Sequence, residues 1–356
     1  MIKVLIVDDS AFIRKYLADE LNKQPDIEVV GTAMDPYVAR EKILDLKPDV
    51  LTLDLEMPRM DGLSFLSKLM KHHPLPVVVV SSLTPKNSQN ALNALQLGAV
   101  DVICKPGSAY STQNISKDII KAVRTASMAK LQKQQSASHK KKGNEINQSL
   151  QQNNLSLVHT TNKVIAIGSS TGGTRALEMI LPTLPANLPG IVIVQHMPPV
   201  FTKSFADRLN TISNMNIKEA EDGDLVETGK VLIAPGNFHM LVEKNGAKYF
   251  TRIKSGPPVH HQRPSVDVMF NSVAEAVGLN AMGVILTGMG ADGAKGLLHM
   301  KEKGAYTISQ DENTSVVYGM PREANKLGAA VDILPLDQIA DRIISYMKKQ
   351  IQQPTI

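Results

Sequence analysis

The feature that most constrains this chain is a series of short apolar runs, each of which stops at a residue capable of chemistry. Lys3–Val7 ends in Asp8 and Asp9, Asp49–Leu53 in Asp54, Pro76–Val80 in Ser81 and Ser82, and Val100–Cys104 in Lys105 and Pro106. The pattern returns further along. Lys163–Ile167 leads into Gly168-Ser169-Ser170-Thr171-Gly172, Gly190–Gln195 into His196, and Ala281–Thr287 into Gly288-Met289-Gly290-Ala291-Asp292-Gly293. Continuous apolar runs of this length mark strands buried on both faces, as parallel sheets require. In such sheets the residues just past the strand C-termini converge on one crevice. The expected fold class is α/β, with two doubly wound parallel-sheet domains.

Gly168–Gly172 is a G-x-S-x-G pattern between a strand and a helix that starts near Thr174, a turn that lifts a serine out of the backbone. A serine hydroxyl is a poor nucleophile until a base takes its proton. His196 supplies a neutral imidazole for that task, and Asp292 a carboxylate to hold the imidazole in one tautomer. Glycines in both loops leave backbone N–H groups of Thr171 and Met289 to face an oxyanion. The choice of Ser170 over Ser169 rests on register. His239 is the rival base, ranked second because it enters a strand-like run instead of following one. Other readings of the same residues are a phosphate held at the helix N-terminus and Asp292 capping a helix that begins near Gly293.

The first half carries a different chemistry. Asp8, Asp9 and Asp54 at neighbouring strand ends repel one another unless a divalent cation sits among them, and a few oxygens plus waters suit Mg²⁺. Asp54 is then placed to attack an activated phosphoryl group, with Ser81 and Lys105 stabilising the transferred oxygens.

Both halves carry family motifs. Asp8-Asp9, Asp54 with Met57-Pro58, Ser81 and Lys105-Pro106 resemble a response-regulator receiver domain. The second half resembles the catalytic domain of the chemotaxis protein-glutamate methylesterases, the CheB family. The matching segments are Ile167–Thr174, Gln195–Pro198, Ile233–Gly236, Gly256–Val259, Arg263–Asp267, Leu286–Gly293 and Gly319–Glu323. The resemblance implies a flavodoxin-like receiver over 1–133, a linker over 134–160 and a Rossmann-like methylesterase domain over 161–356. It implies phosphorylation at Asp54, with Mg²⁺ held by Asp8, Asp9, Asp54 and the backbone carbonyl of Glu56. It further implies a Ser170–His196–Asp292 triad that hydrolyses glutamate γ-methyl esters on chemoreceptors and deamidates receptor glutamines, with no cofactor for the hydrolysis itself. The implied partners are methylated chemoreceptors and a chemotaxis histidine kinase. One departure is Val102, which stands where receivers commonly carry an aromatic switch residue.

Composition fits this picture. The chain has 356 residues, 43% of them hydrophobic, which suffices for two cores. A single cysteine, Cys104, excludes an intrachain disulfide and suits a reducing compartment. The start reads directly into a strand without a signal segment, and no apolar run approaches the ~20 residues of a membrane span. A cytoplasmic protein recruited to membrane receptor clusters is expected, without membrane insertion. The net charge of +5 raises a DNA-binding output as the runner-up, and a ligand-binding module as a third reading. Much of the excess charge lies in Lys140–Lys142, inside a Gln-, Ser-, Asn- and Lys-rich segment predicted to be a mobile tether of roughly 30 Å reach. Nucleic acid is therefore not expected as a partner. Because the receiver is joined in cis, it is expected to cover the catalytic cleft until phosphorylated.

Overall fold

The computed structural model describes residues 1–57, 60–82, 84–105, 112–131 and 163–352. The expected linker 134–160, and with it Lys140–Lys142, lies outside the described residues, as do Pro58 and Pro106. The chain divides into two compact units, Met1–Lys133 and Gln134–Ile356.

The first unit alternates strands and helices: β1 (Ile2–Val7), α1 (Ala11–Asn22), β2 (Ile27–Ala33), α2 (Pro36–Leu46), β3 (Val50–Asp54), α3 (Gly62–His72), β4 (Val77–Ser81), α4 (Pro85–Leu97), β5 (Asp101–Cys104) and α5 (Thr112–Ser127). Its five strands are parallel in the order β2-β1-β3-β4-β5, the flavodoxin-like arrangement. Helix starts are set by side-chain caps: Ser10, Asp35, Asp61 and Thr84 accept from backbone N–H groups in the first turns of α1 to α4. The strand order reverses between β1 and β3, which places Asp8-Asp9 and Asp54 side by side. Helix α5 ends at Ser127, where its buried stripe of Ile119, Ala122, Val123 and Ala126 runs out and Met128 is half exposed. Val102 is buried in β5 opposite Val79.

The second unit contains β6 (Val164–Ser169), α6 (Gly173–Ile180), β7 (Gly190–Gln195), α7 (Phe201–Ile212), β8 (Asn216–Glu219), β9 (Leu225–Val226), β10 (Lys230–Ile233), β11 (His239–Asn245), β12 (Lys248–Lys254), α8 (Val266–Val277), β13 (Ala281–Ile285), α9 (Ala294–Glu302), β14 (Tyr306–Gln310), α10 (Met320–Lys326), β15 (Asp332–Leu334) and α11 (Leu336–Gln352). Seven strands form one parallel sheet, ordered β15-β14-β13-β6-β7-β10-β8. The chain builds outward from β6 through β7 to β8 and β10, then returns to lay β13 on the other side of β6. The crevice between β6 and β13 is thus the topological switch point, where ligands of open α/β sheets bind. Beta strands β6, β7 and β13 are buried throughout, as their unbroken apolar runs require. A small antiparallel sheet, β11-β12-β9, stands apart from the parallel one. Of this sheet the sequence shows only the strand-like run that His239 enters, because its strands mix polar and apolar residues and contain no long apolar run.

Candidate functional site

At the switch point the register does most of the positioning. Ser169 of β6 pairs with Gln195 of β7, so Ser170 and His196 are the next residues along adjacent strands. The N–H of His196 donates to the Ser169 carbonyl at 3.1 Å, and the N–H of Ser170 donates to the Thr287 carbonyl at 3.0 Å. Ser170 is thereby bracketed by the ends of β7 and β13. The two serines differ in kind. The Ser169 hydroxyl is fully buried and donates to Gln195 Oε1 at 2.7 Å. The Ser170 hydroxyl makes no such bond among the described residues, which favours the register expected from the sequence.

His196 contacts the Asp292 carboxylate through Nε2, 2.8 Å from Oδ2. Its other ring nitrogen, Nδ1, is buried and has no hydrogen-bond partner among the described residues. A carboxylate on Nε2 fixes the proton there, so the lone pair available to a nucleophile is on Nδ1. No hydrogen bond joins Ser170 to His196 in this geometry. Nucleophile-to-base contacts commonly tighten only around substrate.

Asp292 is held by far more than the histidine. Oδ1 accepts from the Ser265 hydroxyl at 2.8 Å and the Asp267 N–H at 3.0 Å, while Oδ2 also accepts from the Val266 N–H at 2.8 Å. These donors form the first turn of α8, whose N-cap is Ser265. Burial works to raise the Asp292 carboxyl, but the His196 contact and the α8 N–H groups outweigh it and hold the group below the usual carboxylate range. The alternative reading of Asp292, as cap of the helix after Gly293, does not match this geometry. Gly293, with φ of 88°, is the N-cap of α9 and offers no side chain, and the carboxylate caps α8 instead.

Asp267 lies alongside. It accepts from the Gly296 N–H at 2.6 Å and contacts His260 Nε2 at 3.0 Å. Burial pushes its carboxyl up, and Asp292 beside it adds to the shift. His260, Asp267 and Asp292 bring ligand-type atoms within 4.8 Å of one another. The Asp292 oxygens are already filled by four donors, which leaves a metal nothing to bind there.

The rival base is excluded by its own bonds. His239 Nδ1 accepts from the Ser265 N–H at 3.2 Å, so Nε2 carries the proton and donates to the Pro257 carbonyl at 3.0 Å. Both ring nitrogens are occupied. His239 supports the residue that supports Asp292.

The loops carrying Thr171 and Met289 are tied together by Thr287. Its hydroxyl donates to the Thr171 carbonyl at 2.9 Å and accepts from the Val317 N–H at 3.0 Å. Gly288 lies against Ser170: a Cβ there would stand 2.6 Å from the serine Cβ and 2.4 Å from Met320 Sδ. The Gly288 N–H is used by the Val317 carbonyl, whereas those of Thr171 and Met289 donate to no group among the described residues. They remain available to an incoming oxyanion. Sequence reasoning missed Gln195, Ser265, Asp267 and Thr287 as parts of this site. Ser265-Val266-Asp267 ahead of an apolar helix was the available signal, a capping pattern.

In the first unit, Lys105 Nζ lies 2.7 Å from Asp54 Oδ2 and 3.0 Å from Asp8 Oδ2. Burial pushes the Asp54 carboxyl up to about 6, against the pull of Lys105 and with Asp8 adding to the rise. Burial alone would lower Lys105, but the two carboxylates hold its ammonium above the ordinary range. Arg14 Nη1 donates to the carbonyls of Asp8 and Asp9, at 2.8 and 2.9 Å, and fixes the acidic turn. The Glu56 N–H donates to Asp54 Oδ1 at 3.1 Å, and the Ser81 hydroxyl is buried without a partner among the described residues. Asp8, Asp9 and Asp54 place their oxygens within 4.8 Å of one another, a hard-oxygen set that fits Mg²⁺. Cys104 is buried, and its thiol is pushed up to about 12, so it packs and does not react.

Comparison with known proteins accounts for both halves. The family model described as CheB methylesterase matches residues 165–343, and that of the response regulator receiver domain matches residues 4–117. A protein-glutamate methylesterase/protein-glutamine glutaminase of Syntrophus aciditrophicus is 56% identical over 343 residues, covering 96% of this chain and 98% of its own. One of the same name from Bdellovibrio bacteriovorus is 49% identical over 349 residues, covering 98% of each. The crystal structure of the Thermotoga maritima CheB methylesterase catalytic domain aligns with a TM-score of 0.51 at 45% identity, over 52% of this chain and 98% of that one.

Proposed function

The chain belongs to the CheB methylesterase family, with a response-regulator receiver domain ahead of the catalytic domain, and on that premise we propose how its residues divide the work. It is a protein-glutamate methylesterase and protein-glutamine glutaminase under phosphorylation control, acting in chemotaxis adaptation. The DNA-binding alternative is displaced, since the methylesterase match occupies the segment an output domain would need. Among the described residues no helix is long and apolar enough to cross a membrane.

In the proposed reaction Ser170 Oγ attacks the γ-carbonyl carbon of a glutamate methyl ester on a chemoreceptor as its proton passes to His196 Nδ1. The carbonyl oxygen becomes an oxyanion that accepts from the Thr171 and Met289 N–H groups. On collapse the C–O bond to the methoxy group breaks, and His196 returns the proton to release methanol. Water, losing a proton to the same nitrogen, attacks the acyl-serine carbonyl; the C–Oγ bond breaks, His196 returns the proton to Ser170 Oγ, and the glutamate side chain leaves as its carboxylate. Asp292 stabilises the imidazolium through Nε2–H at each proton transfer. Deamidation follows the same path with ammonia leaving. The hydrolysis needs only these side chains and backbone groups.

The receiver takes a phosphoryl group from a kinase in an Mg²⁺-dependent step, as receivers do generally. Asp8, Asp9, Asp54 and the Glu56 carbonyl are proposed as the metal's protein ligands, and the bound ion would offset charge on the transferred oxygens. Asp54 is proposed as the acceptor, with Ser81 and Lys105 binding the phosphoryl oxygens. The proposed setting is at receptor clusters on the inner side of the membrane.

The observation that carries the catalytic reading is the His196–Asp292 contact with the second ring nitrogen left bare beside the end of β6. The test is methanol release from methylated receptor by the full chain, with and without a small phosphodonor. Ser170→Ala should abolish release while Ser169→Ala slows it by no more than about tenfold, and Asp54→Ala should remove the response to the phosphodonor. Activity persisting in Ser170→Ala would end this reading.

A further inference from the structure

Gln195 closes the otherwise apolar strand β7 and is 3% exposed. The three hydrogen bonds of its amide all go to the two strand ends that carry the proposed nucleophile and base. Nε2 donates to the Ser170 carbonyl at 2.9 Å and to the His196 carbonyl at 3.1 Å. Oε1 accepts from the Ser169 hydroxyl at 2.7 Å. Two carbonyls demand two N–H bonds, so the amide has only one acceptable orientation. The Ser170 carbonyl is held a second time by the Gly173 N–H at 2.7 Å. A Cβ on Gly173 would stand 2.2 Å from Gln195 Oε1, so the bare start of α6 is what leaves the amide room.

From this geometry we infer that Gln195 is a positioning residue for the hydrolysis. It clamps the Ser170 backbone to that of His196 and thereby sets the reach from the hydroxyl to Nδ1. Ser169 braces the clamp by donating to its carbonyl oxygen. The inference rests on the serine-hydrolase reading above. It assigns to the first serine of the pair a role distinct from attack.

The test uses the full chain with a small phosphodonor and a methylated receptor fragment, reading kcat and KM for methanol release between pH 6 and 8. Gln195→Glu keeps the shape but, when ionised, offers no donor to either carbonyl. Its kcat should fall about 100-fold at pH 8 with KM within about twofold, the size expected for a misplaced nucleophile. The ratio of mutant to parent kcat should rise towards pH 6, where the protonated acid regains one donor. Every group other than residue 195 is common to both proteins and cancels in that ratio. Gln195→Ala should be slow at every pH, with a flat ratio. Should Gln195→Ala fail to fold, Ser169→Ala serves instead, with kcat reduced about 3–10-fold for one lost hydrogen bond. Parental kcat in Gln195→Glu at pH 8, or a loss confined to KM, would overturn the inference. Ser170→Ala, run beside them, separates the two failures. If it is dead while Gln195→Glu is unimpaired, only the clamp is wrong; if it is active, the hydrolase reading itself falls.

Discussion

His196 and Asp292, 96 residues apart, meet at 2.8 Å through Nε2, so the ring is turned with Nδ1 as its free base. Asp292→Asn keeps the shape but puts an amide where the carboxylate was, which allows the ring to take the wrong tautomer. Its kcat should drop by about 10⁴ with little change in KM, a split that steady-state methanol release will show.

The α8 cradle predicts a milder effect for Ser265→Ala. The helix loses its cap, costing about 1 kcal/mol of stability, and Asp292 keeps three of its four donors. Thermal unfolding should register the cap, while kcat falls by less than about tenfold, in line with one lost hydrogen bond.

Acid stability of the catalytic domain should depend on Asp292. Its folded carboxyl is held below the ordinary 3.8, so its contribution is present above that value and lost as pH falls through the depressed one. In Asp292→Asn that limb of the pH–stability curve should vanish. A melting temperature that tracks the parent's down to the most acidic conditions would contradict the assignment.

Asp54 predicts the opposite sign. Its folded carboxyl is raised to about 6, so ionising it destabilises the receiver, fully above that value. Asp54→Asn should raise the receiver's unfolding temperature at pH 7.5 in the presence of chelator. The gain should shrink as pH falls through 6 and disappear below about 3.8, the ordinary carboxylate value. Calorimetry of the full chain resolves the effect.

Gly288→Ala places a methyl group 2.6 Å from Ser170 Cβ and 2.4 Å from Met320 Sδ. The neighbouring Met289 N–H and the nucleophile must then separate. We expect kcat to fall on the order of 10²-fold, the cost of losing one oxyanion donor or its alignment. Labelling of Ser170 by a serine-directed phosphonate should slow in parallel.

The strand ends were legible because burial on both faces forces unbroken apolar runs, and a polar residue closing such a run stands out. His196, Asp54 and Lys105 directly follow such runs, and Ser170 and Asp292 sit in the glycine-rich loops after two more. Gln195 was not, although it closes a run too, since an amide at a strand end has no chemistry of its own and matters only through the carbonyls it reaches. The α8 cradle was hidden for a related reason. Its donors are mostly backbone N–H groups, which every sequence supplies, and only the return of β13 beside β6 shows which carboxylate receives them. The antiparallel strands mix polar and apolar residues without a regular period, so beyond the run entered by His239 they give no clear strand signal.

The return of β13 to the flank of β6 has a consequence for biosynthesis. A nascent chain that has emerged through β10 already carries the proposed nucleophile and base, yet lacks the proposed acid. On the proposed triad, ribosome-bound and truncated forms ending before Asp292 should therefore hydrolyse receptor esters far more slowly than the finished chain.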